Sequence, residues 1–246
     1  MQPNNLKRLN ITHWALPLTA IVVIGLVLIV VTHWRHVRLQ YRLLATPPEA
    51  VAADPSLVRF ATAQARPLYA THCAACHGAD MRGNPALGAP NLTDTVWLYD
   101  EGRIFDIERT LSYGIRSGED KAHNETDMPS FGLRGILSDA QIRNVVQYVL
   151  QLSGRPYAAE AANEGRAVYT GGGNCGDCHG PDARGNSDYG APDLTRNVWN
   201  SGGDPQSLYT TIYFGQHRIM PAWGGSLSLE QIRALATYVY AVSHAR

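Results

Sequence analysis

From Trp14 to Val31 the chain runs eighteen residues without a charge. At 1.5 Å per residue a helix of that length just crosses a bilayer. The run sits between two matching strings, Thr12-His13-Trp14 and Thr32-His33-Trp34, with Lys7 and Arg8 beyond one end and Arg35, Arg38 and Arg42 beyond the other. Indoles and cations so placed suit the two headgroup belts, and His13 and His33 read as polar belt residues rather than haem ligands. The apolar stretch is longer than the core of a secretory signal peptide, and the first small-x-small string, Ala50-Val51-Ala52, follows far too late for cleavage. The expectation is an uncleaved anchor over residues 1–48 with its transmembrane helix at about 14–34. The helix is expected to continue through Arg35 to Leu44, with Val37, Tyr41 and Leu44 along one side, and to stop at Pro47-Pro48. Residues 49–62, with Pro55 and many alanines, read as a linker.

Beyond the linker the apolar positions return at helical spacing. Ile142, Val145, Val146 and Val149 form one stripe; Ile232, Leu235, Ala236 and Val239 form another. A capping box opens each, Ser138-x-x-Gln141 and Ser228-x-x-Gln231, and Ser153-Gly154 closes the first. The two stripes belong to an internal duplication. Shifted by 102 positions, Cys73–Trp97 falls on Cys175–Trp199 with fifteen identities in twenty-five. Further on Met128-Pro129 matches Met220-Pro221, and Leu137–Arg143 matches Leu227–Arg233. Two units follow, 63–154 and 162–246. Short helices are expected to lead into each cysteine pair, around Arg66–Tyr69 and Glu164–Tyr169. The fold class is all-α: one N-terminal transmembrane helix, then two tandem units of a few helices wrapped by Gly-, Pro- and Asn-rich loops. That is a thin core for ninety residues, so something else must fill its middle.

Composition narrows what the filler is. Among 246 residues, 21 basic and 21 acidic side chains balance, which leaves no electrostatic footprint for nucleic acid. A hydrophobic share of 45% argues against disorder. Four cysteines are too few for a disulfide-built scaffold, yet all four fall in two copies of one pattern, Cys73-Ala74-Ala75-Cys76-His77 and Cys175-Gly176-Asp177-Cys178-His179. C-x-x-C-H is the attachment site of c-type haem. Two thiols one helical turn apart each add to a vinyl group on the porphyrin edge, and the adjacent histidine falls under the iron. A thioredoxin-like pair would need a βαβ setting, which the pattern lacks. A four-cysteine zinc site would need a far shorter gap between pairs and would leave both histidines idle. Each unit also offers one methionine before its last helix as second axial ligand: Met128 in Asp127-Met128-Pro129-Ser130-Phe131 and Met220 in Ile219-Met220-Pro221-Ala222-Trp223. His123 and His217 are the rivals. His/Met ligation raises the potential relative to His/His and fills both axial positions, leaving one-electron transfer as the chemistry.

Residues 60–246 resemble the dihaem subunit III of cbb3-type cytochrome c oxidases, the CcoP/FixP family. The first unit resembles it in Tyr113-Gly114-Ile115-Arg116-Ser117-Gly118, Met128-Pro129-Ser130-Phe131-Gly132 and the helix Gln141 to Gly154. The second does so in Gly190-Ala191-Pro192-Asp193-Leu194-Thr195 and Ile219-Met220-Pro221-Ala222-Trp223. The resemblance implies two haem c groups, held covalently by Cys73, Cys76, Cys175 and Cys178, with His77, Met128, His179 and Met220 as axial ligands. It implies electrons arriving from a soluble or membrane cytochrome c and leaving to a monohaem subunit and then a catalytic haem-copper subunit. Haem attachment in that family takes place outside the cytoplasmic membrane, which puts both units in the periplasm of a bacterial inner-membrane protein. That expectation overrides the three arginines behind the span, which alone favour the opposite orientation. Arg82, Arg184, Trp97 and Trp199 are candidates to touch haem propionates. The resemblance fades in the first thirteen residues, which lack the acidic stretch and Asn-Pro-Leu-Pro-x-Trp-Trp-like motif usual there. A free membrane-tethered dihaem shuttle and an electron-accepting subunit of a periplasmic dehydrogenase share the same motifs and stay open.

Overall fold

The charge-free run and the basic segment behind it form one unbroken helix, α1 (Thr12–Ala45). Valine and isoleucine are only moderate helix formers in water, but a bilayer leaves every backbone group to be satisfied within the segment, and the helix does that. The computed structural model describes residues 12–124 and 127–245, with side chains from residue 20 onward. The belt residues Lys7 and Arg8 and the side chains of His13 and Trp14 lie outside the described residues. Ile21 to Val31 stand exposed all round, as lipid-facing residues do. The last turns of α1 are different in character. Leu43 is fully buried and Leu39 packs beside it, while Val37, Tyr41 and Leu44, the side marked out in the sequence, face outward.

The expected linker is not a tether. It forms α2 (Pro48–Val51) and the first turns of α3 (Pro55–His72), and Val51, Leu57 and Ala61 are buried. Asp54 caps α3 by accepting from the backbone N–H of Ser56 and Leu57, and Pro55 takes the first helical position, where its missing N–H costs nothing. Leu57, Ala61, Ala65 and Tyr69 then recur every four residues on one buried stripe. The alanines that resembled a flexible composition are close-approach residues on a packed face.

After α3 come α4 (Ala74–His77), α5 (Ile104–Tyr113), α6 (Asp139–Leu152), α7 (Ala159–Thr170), α8 (Gly176–His179), α9 (Pro205–Phe214) and α10 (Leu229–Ser243). Only isolated bridges link extended residues among the described ones. Both capping boxes are made: Gln141 N donates to Ser138 Oγ at 3.3 Å and Gln231 N to Ser228 Oγ at 3.2 Å. Helices α5 and α9 were not foreseen. Asp204-Pro205 is a plain N-terminal signal for α9, and Ile104, Ile107 and Leu111 supply the buried stripe of α5.

The packing does not follow the sequence repeats. One core joins α3, α5 and α10: Leu57 and Ala61 of the expected linker and Ala65, Tyr69, Ile104, Ile107 and Leu111 of the first repeat meet Ile232, Leu235, Ala236 and Val239 of the second. The other joins α6, α7 and α9: Ile142, Val145, Val146 and Val149 meet Val168, Tyr169, Leu208 and Ile212. Each repeat has therefore handed its last helix to its neighbour. The short connection of residues 153–158 explains the choice, because consecutive elements with short links pack side by side. Once α6 lies on α7, α10 is left to close back onto α3. The two crossings are built alike. Tyr69 meets Tyr238 edge-on at 6.1 Å where α3 crosses α10, and Tyr148 meets Tyr169 at 5.4 Å where α6 crosses α7.

Candidate haem-attachment sites

Each Cys-x-x-Cys-His segment is a single helical turn hung from the end of a longer helix. Cys73 is the C-cap of α3, and α4 carries Cys76 and His77. In the second repeat Cys175 opens α8, which carries Cys178 and His179. The leading helices secure these turns identically, Tyr69 Oη donating to the Gly78 carbonyl at 2.7 Å and Tyr169 Oη to the Gly180 carbonyl at 2.6 Å. All four cysteines are free thiols. Burial pushes Cys73 up to about 11, with Cys76 adding to it, and burial does the same to Cys175. Cys73 and Cys175 are thus neutral thiols at ordinary pH, which argues against a redox-active pair. No cluster of three or more His, Cys, Asp or Glu suited to a metal ion occurs among the described residues.

The two histidines are held in the same way. His77 Nδ1 lies 3.2 Å from the carbonyl of Pro90 and His179 Nδ1 lies 3.0 Å from that of Pro192. A ring whose Nδ1–H is spent on a carbonyl presents Nε2 as the free lone pair, the orientation an iron ligand needs. Burial lowers the pKa of both rings and keeps them neutral, against the upward pull of those carbonyls. The prolines are positioned by paired loops, in which Asn84 and Ala89 form one bridge and Asn186 and Ala191 its copy. Gly83 and Gly185 sit at φ +82° and +83° with backbone so close that a Cβ would strike the carbonyls of Ala89 and Ala191.

The methionines are where the repeats cross. Met220 pairs with Ile115 in an antiparallel bridge, its N–H donating to Ile115 O at 2.9 Å and its carbonyl accepting from Ile115 N at 3.0 Å. Met128 pairs with Gln216, at 3.2 and 2.9 Å. The aromatic residues beyond them follow suit: Trp223 N donates to Leu111 O at 2.9 Å and Phe131 N to Ile212 O at 3.1 Å. Met220 accordingly packs on the core that holds Cys73 and Ala74, and Met128 on the core that holds Cys175. The expectation that each cysteine pair shares a core with the methionine of its own repeat is corrected, because the methionine loops travel with the exchanged helices.

The rival histidines are engaged elsewhere. His123 is buried, stacks on Tyr99 at 4.2 Å and brings Nε2 to 3.3 Å from Asp100 Oδ2. His217 is exposed and bonds through Nδ1 to Asp127, which also accepts from Arg116 Nε at 2.6 Å. Of the propionate candidates, Arg82 and Arg184 lie at the surface beside Asp80 and Asp182, whereas Trp97 packs on the first core and Trp199 on the second. Sequence reasoning missed Arg218. Its guanidinium covers Gly88 of the opposite repeat, and its Nη1 is buried with no hydrogen-bond partner among the described residues. Burial lowers its pKa. An orphaned buried donor calls for an anion, and the acidic side groups of a haem are of that kind. Attachment thiols, preset imidazoles, thioethers and the spare Nη1 of Arg218, whose Nε is bonded to Gln216, together fit two haem groups.

Two such sites behind an apolar helix of spanning length define a membrane-anchored dihaem c-type cytochrome. The comparisons agree. Residues 63–153 match the cytochrome c family model, and residues 160–239 match cytochrome C oxidase, cbb3-type, subunit III. The chain is 39% identical over 82% of its length to the cbb3-type cytochrome c oxidase subunit CcoP of Cereibacter sphaeroides, covering 68% of that protein. It is 40% identical to subunit FixP of Azorhizobium caulinodans, over 81% of this chain and 66% of that one. It is also 40% identical to subunit CcoP of Rhodobacter capsulatus, over 82% and 69%. The chain belongs to the CcoP/FixP family of cbb3-type cytochrome c oxidase subunits and carries two covalently bound haem c groups. It spans about two thirds of the length of these relatives.

Proposed function

We propose that this chain relays electrons within a cbb3-type oxidase. It would take them from a soluble or membrane cytochrome c and pass them to a monohaem subunit and the catalytic haem-copper subunit, without reducing oxygen itself. The observation that carries this is that each preset imidazole belongs to an attachment turn whose first cysteine packs on the same core as one methionine. Haem, when bound, supplies a one-electron couple. Cys73, Cys76, Cys175 and Cys178 would hold it covalently, and His77, His179, Met128 and Met220 would ligate the iron, which would favour electron transfer over binding of oxygen or peroxide. The thioether keeps the couple at higher potential than a second imidazole would. The Pro90 and Pro192 carbonyls fix ring orientation, and Trp97, Trp199, Trp223 and Phe131 wall the cores and keep water away.

Both haem units are assigned to the periplasmic side of the inner membrane, with α1 crossing the lipid once. Covalent haem attachment supports that side. A subunit is favoured over a free shuttle by α1 itself, because Trp34, Val37, Tyr41 and Leu44 form an exposed apolar face along its C-terminal end, on the side away from buried Leu43. In membranes of a strain lacking this chain, the wild type is expected to restore cyanide-sensitive oxygen uptake driven by reduced cytochrome c. The double variant Cys175→Ser/Cys178→Ser should be inserted and fail to restore it. Full uptake with the double variant would refute the relay.

A further inference from the structure

We propose that Tyr99, a residue of the first repeat, is a positioning residue for the second site: it holds still the loop whose Pro192 carbonyl orients His179. This rests on reading Cys175–His179 as a haem site, and deepens that reading by naming what one repeat does to the histidine of the other. The Tyr99 ring lies so close on Gly190 that a Cβ added there would strike its Cζ, Cε1 and Oη. Gly190 stands at φ +62° in the tight loop closed by the Asn186–Ala191 bridge, two residues before Pro192. Glycine alone permits both that turn and that contact. The ring is braced from its own repeat. Tyr99 is buried, and His123 stacks on it at 4.2 Å. His123 is fixed in turn, its carbonyl accepting from Arg116 N at 3.0 Å and its Nε2 lying 3.3 Å from Asp100 Oδ2. The seam continues beside this contact as a cleft, with Ala89 and Asn91 on one wall and Asn197 and Trp199 on the other.

The first site has no matching brace. A shift of 102 places Gly88 on Gly190 but Tyr99 on Ser201. Gly88 is covered by the guanidinium of Arg218 instead. An arginine end has many rotamers and yields readily; a stacked, buried ring does not. The two histidines are therefore held by the same carbonyl bond but with unequal stiffness behind it. Releasing the loop would loosen the 3.0 Å contact between His179 Nδ1 and the Pro192 carbonyl. A ring that loses that bond is a poorer donor, which disfavours oxidised iron and raises the potential.

The test uses the full dihaem chain in detergent, with the chains Cys73→Ser/Cys76→Ser and Cys175→Ser/Cys178→Ser serving to assign the two redox waves. Tyr99→Ala is expected to raise the midpoint potential of the haem at Cys175 and Cys178 by more than that of its neighbour, and to speed hydrogen exchange in peptide 184–194. Tyr99→Phe keeps a ring on Gly190 and should retain wild-type behaviour in both readouts. No rise at that haem, or a rise no larger than at the other, overturns the proposal. Should Tyr99→Ala fail to fold, Gly190→Ala probes the contact from the loop side. It should shift that potential less in a Tyr99→Leu background than in the wild type, and equal shifts in the two backgrounds refute the contact. A wild-type chain without covalent haem at Cys175 and Cys178 would overturn the reading of the site instead. Exchange in peptide 184–194 would then still decide the contact: faster in Tyr99→Ala than in Tyr99→Phe supports it, and equal rates refute it.

Discussion

Replacing Ile232 by alanine should damage the repeat to which it does not belong. Ile232 is 2% exposed and lies on α10, yet its neighbours are in α3 and α5. Truncating a buried isoleucine to alanine costs about 2–5 kcal/mol through lost transfer energy and the cavity left behind. At about 1.4 kcal/mol per decade, the opening equilibrium of that core rises roughly 30-fold to a few thousand-fold. Hydrogen exchange followed by mass spectrometry on the detergent-solubilised holoprotein reads this peptide by peptide, since core amides exchange through such openings. Peptides 55–72 and 104–113 should lose protection while 159–170 and 205–214 keep theirs. The mirror variant Ile142→Ala, at a fully buried position on α6, should do the converse. Leu229→Ala, at a position 78% exposed, is the control, with an expected effect within about 0.5 kcal/mol. Loss of protection in 159–170 on Ile232→Ala would refute the exchanged packing outright.

Other outcomes follow from the same contacts. Arg233→Met removes the bonds to Leu43 and Thr46 and leaves Glu108 part-buried without its cation; thermal denaturation should show a loss of about 1–3 kcal/mol, and a neutral result would refute these contacts. Gly165→Val pushes a side chain into the Asn144 carbonyl where α6 crosses α7, and should cost about 1–3 kcal/mol in the same assay. At Asp106 burial pushes the carboxyl up, but bonds from the Arg103 side chain and from the backbone N–H of Arg103 and Glu101 outweigh it, so its folded pKa lies below the ordinary carboxylate value. A depressed carboxyl stabilises above its unfolded pKa and loses that contribution as pH falls through the folded one. Asp106→Asn should therefore destabilise near neutrality and flatten the acid limb of the stability profile; an unaltered limb would contradict the assignment.

The helices with a cap and a full apolar stripe, α6 and α10, were legible in the sequence, as were the anchor and both attachment motifs. Helix α3 was half-legible. Its Ala61 and Ala65 contribute little hydrophobic signal, because they matter for how closely another helix can approach rather than for their own size. Helices α5 and α9 were passed over among glycine-rich loops, although Asp204-Pro205 marks one start. The methionines were found as loop residues, but their partners were not. The two helix crossings explain why. Each sets a tyrosine of a leading helix, Tyr69 or Tyr169, against a tyrosine of a last helix, Tyr238 or Tyr148, with Ala65 or Gly165 one turn earlier on the leading helix. Surfaces that alike cannot dictate which leading helix meets which last helix, so the sequence pattern is equally compatible with contiguous and exchanged units. What decides is chain connectivity, through the six residues between α6 and α7.

Purification of the native assembly in mild detergent, by a tag on this chain, tests the central claim most directly. The account predicts two c-type haems per chain, co-purifying b-type haem and cyanide-sensitive oxygen uptake with reduced cytochrome c as donor. Two c-type haems alone, with no b-type haem and no oxygen uptake, would contradict it and leave a tethered shuttle.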